Sequence, residues 1–147
     1  KKIPNDKTVF IARGVVYQDM GNHQLAINDF NKSIDIDPEL SEGYFRRGFS
    51  KLYSKQFHEG IKDFNSVKDL NLEEDKKNHG IPDGLGCCYH ALKEMDKALE
   101  YYHDAVKGDD QNTEFLMHRA QCYYDLKEFE EAIKDLNQAL VIREDDP

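Results

Sequence analysis

Apolar residues recur along this chain at helical spacing in eight stretches, each closed by a turn signal. Between residues 7 and 20, Phe10, Gly14 and Tyr17 fall at i, i+4 and i+7 and share one helix face. Asp6 stands where an N-cap belongs, and Gly21-Asn22 ends the stretch as a left-handed C-terminal glycine would. Residues 23–36 place Ala26, Ile27, Phe30, Ser33 and Ile34 on one face, and Pro38 closes them because proline disfavours helix at the residue before it. The same reading predicts helices over 41–54, 57–70, 95–107, 113–126 and 129–142 and no strand. A further helix is expected to begin near Pro82, which a first turn tolerates, and to run to 92.

The pattern is periodic. Phe10, Gly14, Tyr17, Ala26, Phe30, Ser33 and Pro38 return in part, 34 residues on, as Tyr44, Gly48, Phe64 and Val67. After four extra residues they return as Leu85, Gly86, Tyr89, Ala98, Tyr102 and Ala105, then as Leu116, Ala120, Tyr123, Ala132, Leu136 and Ala139. A unit of that size cannot bury its own apolar face and must stack on its neighbours, which predicts a solenoid. The organisation expected is a lead-in segment, 1–6, and an array, 7–146, made of repeats 7–40, 41–74, 79–112 and 113–146 with an insertion at 75–78. Around that insertion, either the second helix of repeat 2 runs on by a turn or the link is a longer loop.

These residues resemble the tetratricopeptide repeat (TPR) family. Its pattern wants a large apolar residue at position 4, Leu-Gly at 7 and 8, aromatics at 11 and 24, alanine at 20 and 27, and proline at 32. Repeat 1 meets it except at position 7, which is Arg13, and at position 27, where Ser33 replaces alanine; repeat 2 departs most, with Lys51 at 11, Gly60 at 20 and Leu72 at 32. The resemblance implies an all-α, right-handed superhelical solenoid of four helix-turn-helix units that serves as a binding scaffold.

Position 7 carries a charge of its own. Arg13, Arg47 and Arg119 occupy it in three repeats, and the same three have Asp29, Asp63 and Asp135 sixteen residues later; repeat 3 has Leu85 and Tyr101 instead. In a hairpin turning near positions 15 and 16 the two places lie side by side, so each arginine is expected to pair with the aspartate of its own repeat. Cys88 and Cys122 share position 10 and read as small packing residues, whereas Cys87 falls on the face that should line the groove and is a candidate reactive thiol. The histidines His23, His58, His79, His90, His103 and His118 show no ligand spacing, so no metal site is expected. Neither a nucleophile motif nor a phosphate loop interrupts the repeats, and we expect neither catalysis nor a cofactor.

Bulk properties narrow the partners. The 147 residues suffice for one array, and the net charge of −9 argues against nucleic acid, whose phosphates need a basic face. No run approaches the roughly 20 apolar residues that span a bilayer, so membrane insertion is not expected. Three cysteines without an even pairing favour a reducing, intracellular setting, and the cytoplasm is the expected location. The chain begins at Lys1, and we expect it to be an excised or processed piece of something longer.

In TPR arrays the first helix of each unit lines the concave groove, at positions 2, 5, 6, 9, 12 and 13. By that resemblance the binding surface is Ile11, Val15, Phe45, Arg46, Phe49, Leu52 and Tyr53, extended by Met117 and Tyr124. The chaperone adaptors of the family clamp a C-terminal carboxylate with Lys and Asn at positions 5, 9 and 6. Here Ile11, Val15 and Arg46, or Phe45, Phe49 and Gly84, stand there instead, so heat-shock protein tails are not the expected ligand. An apolar groove for a segment of a partner protein is expected, within a larger assembly such as the cytosolic, cytoskeletal and ciliary ones the family serves. The alternative is a regulatory or targeting module of a larger enzyme whose catalytic domain lies elsewhere in the parent chain. The last helix keeps Phe129, Ile133, Leu136 and Leu140, which leads us to expect either a further helix or association through that end.

Overall fold

The computed structural model describes residues 5–70, 72 and 78–145, and the chain falls into two units, 1–76 and 77–147. The first holds α1 (Lys7–Asp19), α2 (His23–Ile36), α3 (Ser41–Tyr53) and α4 (Phe57–Leu70). The second holds α5 (Gly80–Ala91), α6 (Met95–Gly108), α7 (Thr113–Asp125) and α8 (Phe129–Asp145). Each unit is two antiparallel helix pairs, and no strand occurs among the described residues. The fold is that of an all-α TPR solenoid. Two boundaries differ from expectation by more than one residue. α5 starts at Gly80, two residues before Pro82, because its first turn has no need of the proline's missing N–H. α8 runs three residues past 142. Most of the 71–77 link, where the sequence left two conformations open, lies outside the described residues.

Small residues at position 8 let the paired helices approach closely. Gly14 faces Phe30, Gly48 faces Phe64 and Gly86 faces Tyr102, and a methyl group on any of them would sit within 2.9 Å of the ring. Those three rings are at most 1% exposed. Around them lie Ile11 and Ala26 in the first pair, and Ala98 with Cys122 beside Tyr102. Cys88 and Cys122 at position 10 are fully buried, and burial pushes their thiols up to about 12 and about 11. They are packing groups.

The corner within each pair has one geometry, built four times. In α1 the N–H of Asn22 bonds the Tyr17 carbonyl at 2.7 Å and that of Gly21 bonds Gln18 at 2.9 Å, closing the helix end around a left-handed residue with φ +75°. The equivalent residues of the other pairs are Lys55, Lys93 and Lys127, with φ of 62°, 65° and 66° and the same two bonds. A side chain there costs roughly 1–2 kcal/mol of backbone strain, part of which glycine offsets with its larger loss of chain entropy. Lys55→Gly, Lys93→Gly and Lys127→Gly should therefore each stabilise by about 0.5–1 kcal/mol, read from urea unfolding. Loss of stability in all three would contradict a left-handed corner.

Candidate functional site

Three surfaces and one set of ion pairs are the candidates for function. The first surface is built by α1 and α3. Thr8, Ile11, Ala12 and Val15 from α1 border a recess of about 460 Å³ with Leu40 and Glu42 on its far side, and its wall is mainly apolar. Ile11 is buried and also packs on Ala26 and Phe30, whereas Ala12 is exposed and Val15 half-buried. Gln18 ties the helices together by donating to the Arg46 carbonyl at 3.3 Å.

The α3 stripe is less open than its sequence suggested. Phe45 and Phe49 are half-buried and stack edge-on against each other and against Phe64, with centroids 5.1, 6.5 and 5.0 Å apart. Their outer edges remain available while their inner edges belong to the core. Tyr53 lies 6.2 Å from Phe49 and is 60% exposed, and Leu52 is half-buried. Arg46 is held by Glu42 at 3.4 Å, an exposed i, i+4 pair of small energetic weight. Met117 and Tyr124 stand in the second unit. There they line a recess of about 470 Å³ with Phe129, Ile133 and Leu136, so the apolar strip on α8 is exposed.

The structure brings each arginine of position 7 to its aspartate in a two-pronged pair. Arg13 Nε and NH2 lie 2.6 and 2.8 Å from Asp29, Arg47 lies 2.9 and 2.7 Å from Asp63, and Arg119 lies 2.8 and 2.7 Å from Asp135. The three aspartates are buried; Arg13 is the exposed outlier among the arginines, at 48%. Three partners were not read from the sequence. Lys51, which replaces the aromatic of position 11, adds a second cation to Asp63 at 2.9 Å. Arg47 NH1 reaches back to Asn31 of the preceding pair at 2.7 Å, and Arg119 NH1 reaches His103 at 3.1 Å. Both acceptors sit at position 25 of the preceding repeat, a regularity that was there to be found.

The third surface lies between α5 and α7, which are joined by two reciprocal histidine–carboxylate contacts. His90 of α5 meets Asp125 of α7 at 2.8 Å, and this bond holds the Asp125 carboxyl below its ordinary range. His118 of α7 meets both oxygens of Asp83 of α5, at 2.9 and 3.1 Å. Asp83, then Cys87 at 3.7 Å, hold His118 protonated, up to about 10. Asp83 and Cys87 are one turn apart on α5 and so share a face. The Tyr102 hydroxyl, 1% exposed, lies 3.5 Å from Cys87 Sγ and 3.4 Å from His90 Nδ1, and burial drives its pKa up. Cys87, His90, Ala91, Lys93, Tyr102, His118 and Gln121 border an open recess of about 300 Å³.

Among the described residues, no helix is long and apolar enough to cross a membrane. Models of the tetratricopeptide repeat match residues 8–40, 84–112 and 113–146. Hsp70-Hsp90 organizing protein 3 of Arabidopsis thaliana is 25% identical over 97 residues, 66% of this chain and 17% of that protein. Mitochondrial import receptor subunit TOM70 of Homo sapiens is 28% identical over 124 residues, 84% of this chain and 16% of that protein. The matched regions thus span about one-sixth of these relatives. Among solved structures, MamA from Desulfovibrio magneticus RS-1 superimposes with a TM-score of 0.84 at 19% identity, covering 98% of this chain and 80% of that one. The repeats, the glycine-to-ring packing and these matches agree: the chain belongs to the tetratricopeptide repeat family.

Proposed function

We propose that this chain is a non-catalytic scaffold whose first unit binds an apolar segment of a partner protein along the face of α1 and α3. The recess between Ile11, Ala12 and Val15 and the Leu40–Glu42 corner carries this reading: it offers apolar depth, and from Glu42 the half-buried Phe45 and Phe49 and the exposed Tyr53 ring continue along α3. Large rings bring much contact area at low entropic cost and are frequent anchors of binding surfaces. The names of the relatives, an organizing protein of two chaperones and an import receptor subunit, support work on other proteins. Arg46, paired with the Glu42 that lines the recess, would orient the bound segment. Met117 and Tyr124, with the exposed strip of α8, form a separate surface through which the second unit would receive a further helix or a second copy. An intracellular setting fits these relatives.

Because Phe45 and Phe49 also support the core, truncating them tests stability as much as binding. Ala12→Glu and Tyr53→Ala are cleaner, since both positions are exposed. Each should weaken a partner recovered from the native source by about tenfold or more, that is about 1.4 kcal/mol or more, with the circular dichroism unchanged. The affinity should hold when salt rises, because an apolar contact is little screened. Unchanged affinity in both variants, or release of the partner at modest salt, would move the site off this face.

A further inference from the structure

Asp83, Cys87 and His118 offer one oxygen, one sulfur and one nitrogen whose donor atoms all lie within 4.8 Å of one another. Their arrangement decides between two kinds of chemistry. In a cysteine–histidine–aspartate relay the acid and the thiol must address opposite nitrogens of the ring. Here His118 Nδ1 faces both, 2.9 Å from Asp83 Oδ1 and 3.7 Å from Cys87 Sγ, so a relay is not built. An oxygen and a sulfur that converge on one nitrogen surround, together with it, a point instead.

The size of that point is informative. A tetrahedral ion about 2.3 Å from sulfur and about 2.0 Å from nitrogen and oxygen sets S and N roughly 3.5 Å apart and N and O roughly 3.3 Å apart. The corresponding separations here are 3.7 and 2.9 Å, each a few tenths of an ångström from those edges. We infer that Asp83, Cys87 and His118 form a site for a zinc ion, with its fourth position open to the recess between α5 and α7. Thiolate, imidazole and carboxylate together suit zinc better than magnesium or calcium, which want oxygen alone.

The surroundings suit a site of this kind. Asp83 and Cys87 are fixed on one face of a helix whose Gly86 packs closely on Tyr102, and Asp83 is only 5% exposed. The buried Tyr102 hydroxyl is placed to donate to Cys87 Sγ, the outer-shell contact that steadies a thiolate ligand. Half-exposed Cys87 and His118 border the open recess, which gives the ion its way in. Binding would displace the proton from His118 Nδ1 and the one on the Cys87 thiol, so that both donors present lone pairs. Three protein ligands leave the last position for water or for a side chain brought by a partner, which makes the second unit a binding surface of different chemistry from the first.

The test uses the 147-residue chain stripped with a chelator and titrated with cobalt(II), then with zinc. One ion per chain should bind, giving the thiolate-to-cobalt charge-transfer band and the visible bands of a four-coordinate ion, both lost on adding zinc. Cys87→Ala should abolish the charge-transfer band. His118→Gln should weaken binding beyond the 10–100-fold typical of outer-shell changes, while Tyr102→Phe should fall within that range. Zinc should raise the melting temperature of the wild type and leave the melting temperature of Cys87→Ala unchanged. Absence of the charge-transfer band, or equal zinc affinity in wild type and Cys87→Ala, would overturn the site and leave a hydrogen-bonded Asp83–His118 pair only.

Discussion

Replacing Asp63 by leucine should cost about 3–5 kcal/mol of stability, and replacing Arg47 by leucine should cost distinctly less. The asymmetry follows from a three-charge cluster. Asp63 is 3% exposed and takes two bonds from Arg47 and one from Lys51, whose side chains are 17% and 12% exposed. Without the carboxylate, two poorly hydrated cations face each other. Without Arg47, its two bonds to Asp63 and its bond to Asn31 are lost, but Lys51 still neutralises Asp63 at 2.9 Å. Among the described residues no second cation pairs with Asp135, so Arg119→Leu and Asp135→Leu should be closer in cost. Urea unfolding of each single and double variant gives the coupling energies. Additive losses at Arg47 and Asp63, or a larger loss from Arg47 than from Asp63, would refute the cluster as the organiser of this pair.

Gly14→Ala should destabilise the first unit by about 3 kcal/mol, the upper part of the range for overpacking a close-packed core. The added carbon would lie 2.5 Å from Phe30 Cε1 and 2.9 Å from Cδ1, and Phe30 is fully buried, so the ring has nowhere to turn. The chain contains its own remedy. In the last pair the corresponding residues are Ala120 and Leu136, which border one recess. Gly14→Ala combined with Phe30→Leu should therefore lie within about 1.5 kcal/mol of the wild type, as volume-conserving exchanges do. A double variant as unstable as the sum of its singles would show that the alanine is resisted by something other than the ring.

The helices were legible because their punctuation is local. Gly21, Pro38 and the spacing of Phe10, Gly14 and Tyr17 act over a few residues, and the boundaries of α2 and α4 match the expected ones. The arginine–aspartate pairs were legible because they recur, and their one absence removes both charges together. Lys51 was read as a departure from the aromatic pattern, since the role of a lysine at position 11 appears only once Asp63 is seen beside it. Phe45 and Phe49 were expected on the groove face, and the pitch of α3 also turns their inner edges onto Phe64. The Asp83–Cys87–His118 cluster escaped ligand-spacing rules because those look within one segment. Its members hold positions 5, 9 and 6 of successive repeats, 35 residues apart at the widest, and only the side-by-side placement of α5 and α7 unites them.

The backward reach of Arg47 sets a hierarchy of opening motions in the first unit. One guanidinium satisfies Asn31 on α2 and Asp63 on α4 from its seat on α3, so detaching either outer helix strips it of a partner while the other stays bound. Fraying of α2 is then felt at α4 through a hub that redistributes its remaining bonds. α3 is the keystone: it can come free only when its neighbours on both sides have let go, which makes the helix carrying the Phe45, Phe49 and Tyr53 stripe the last to breathe.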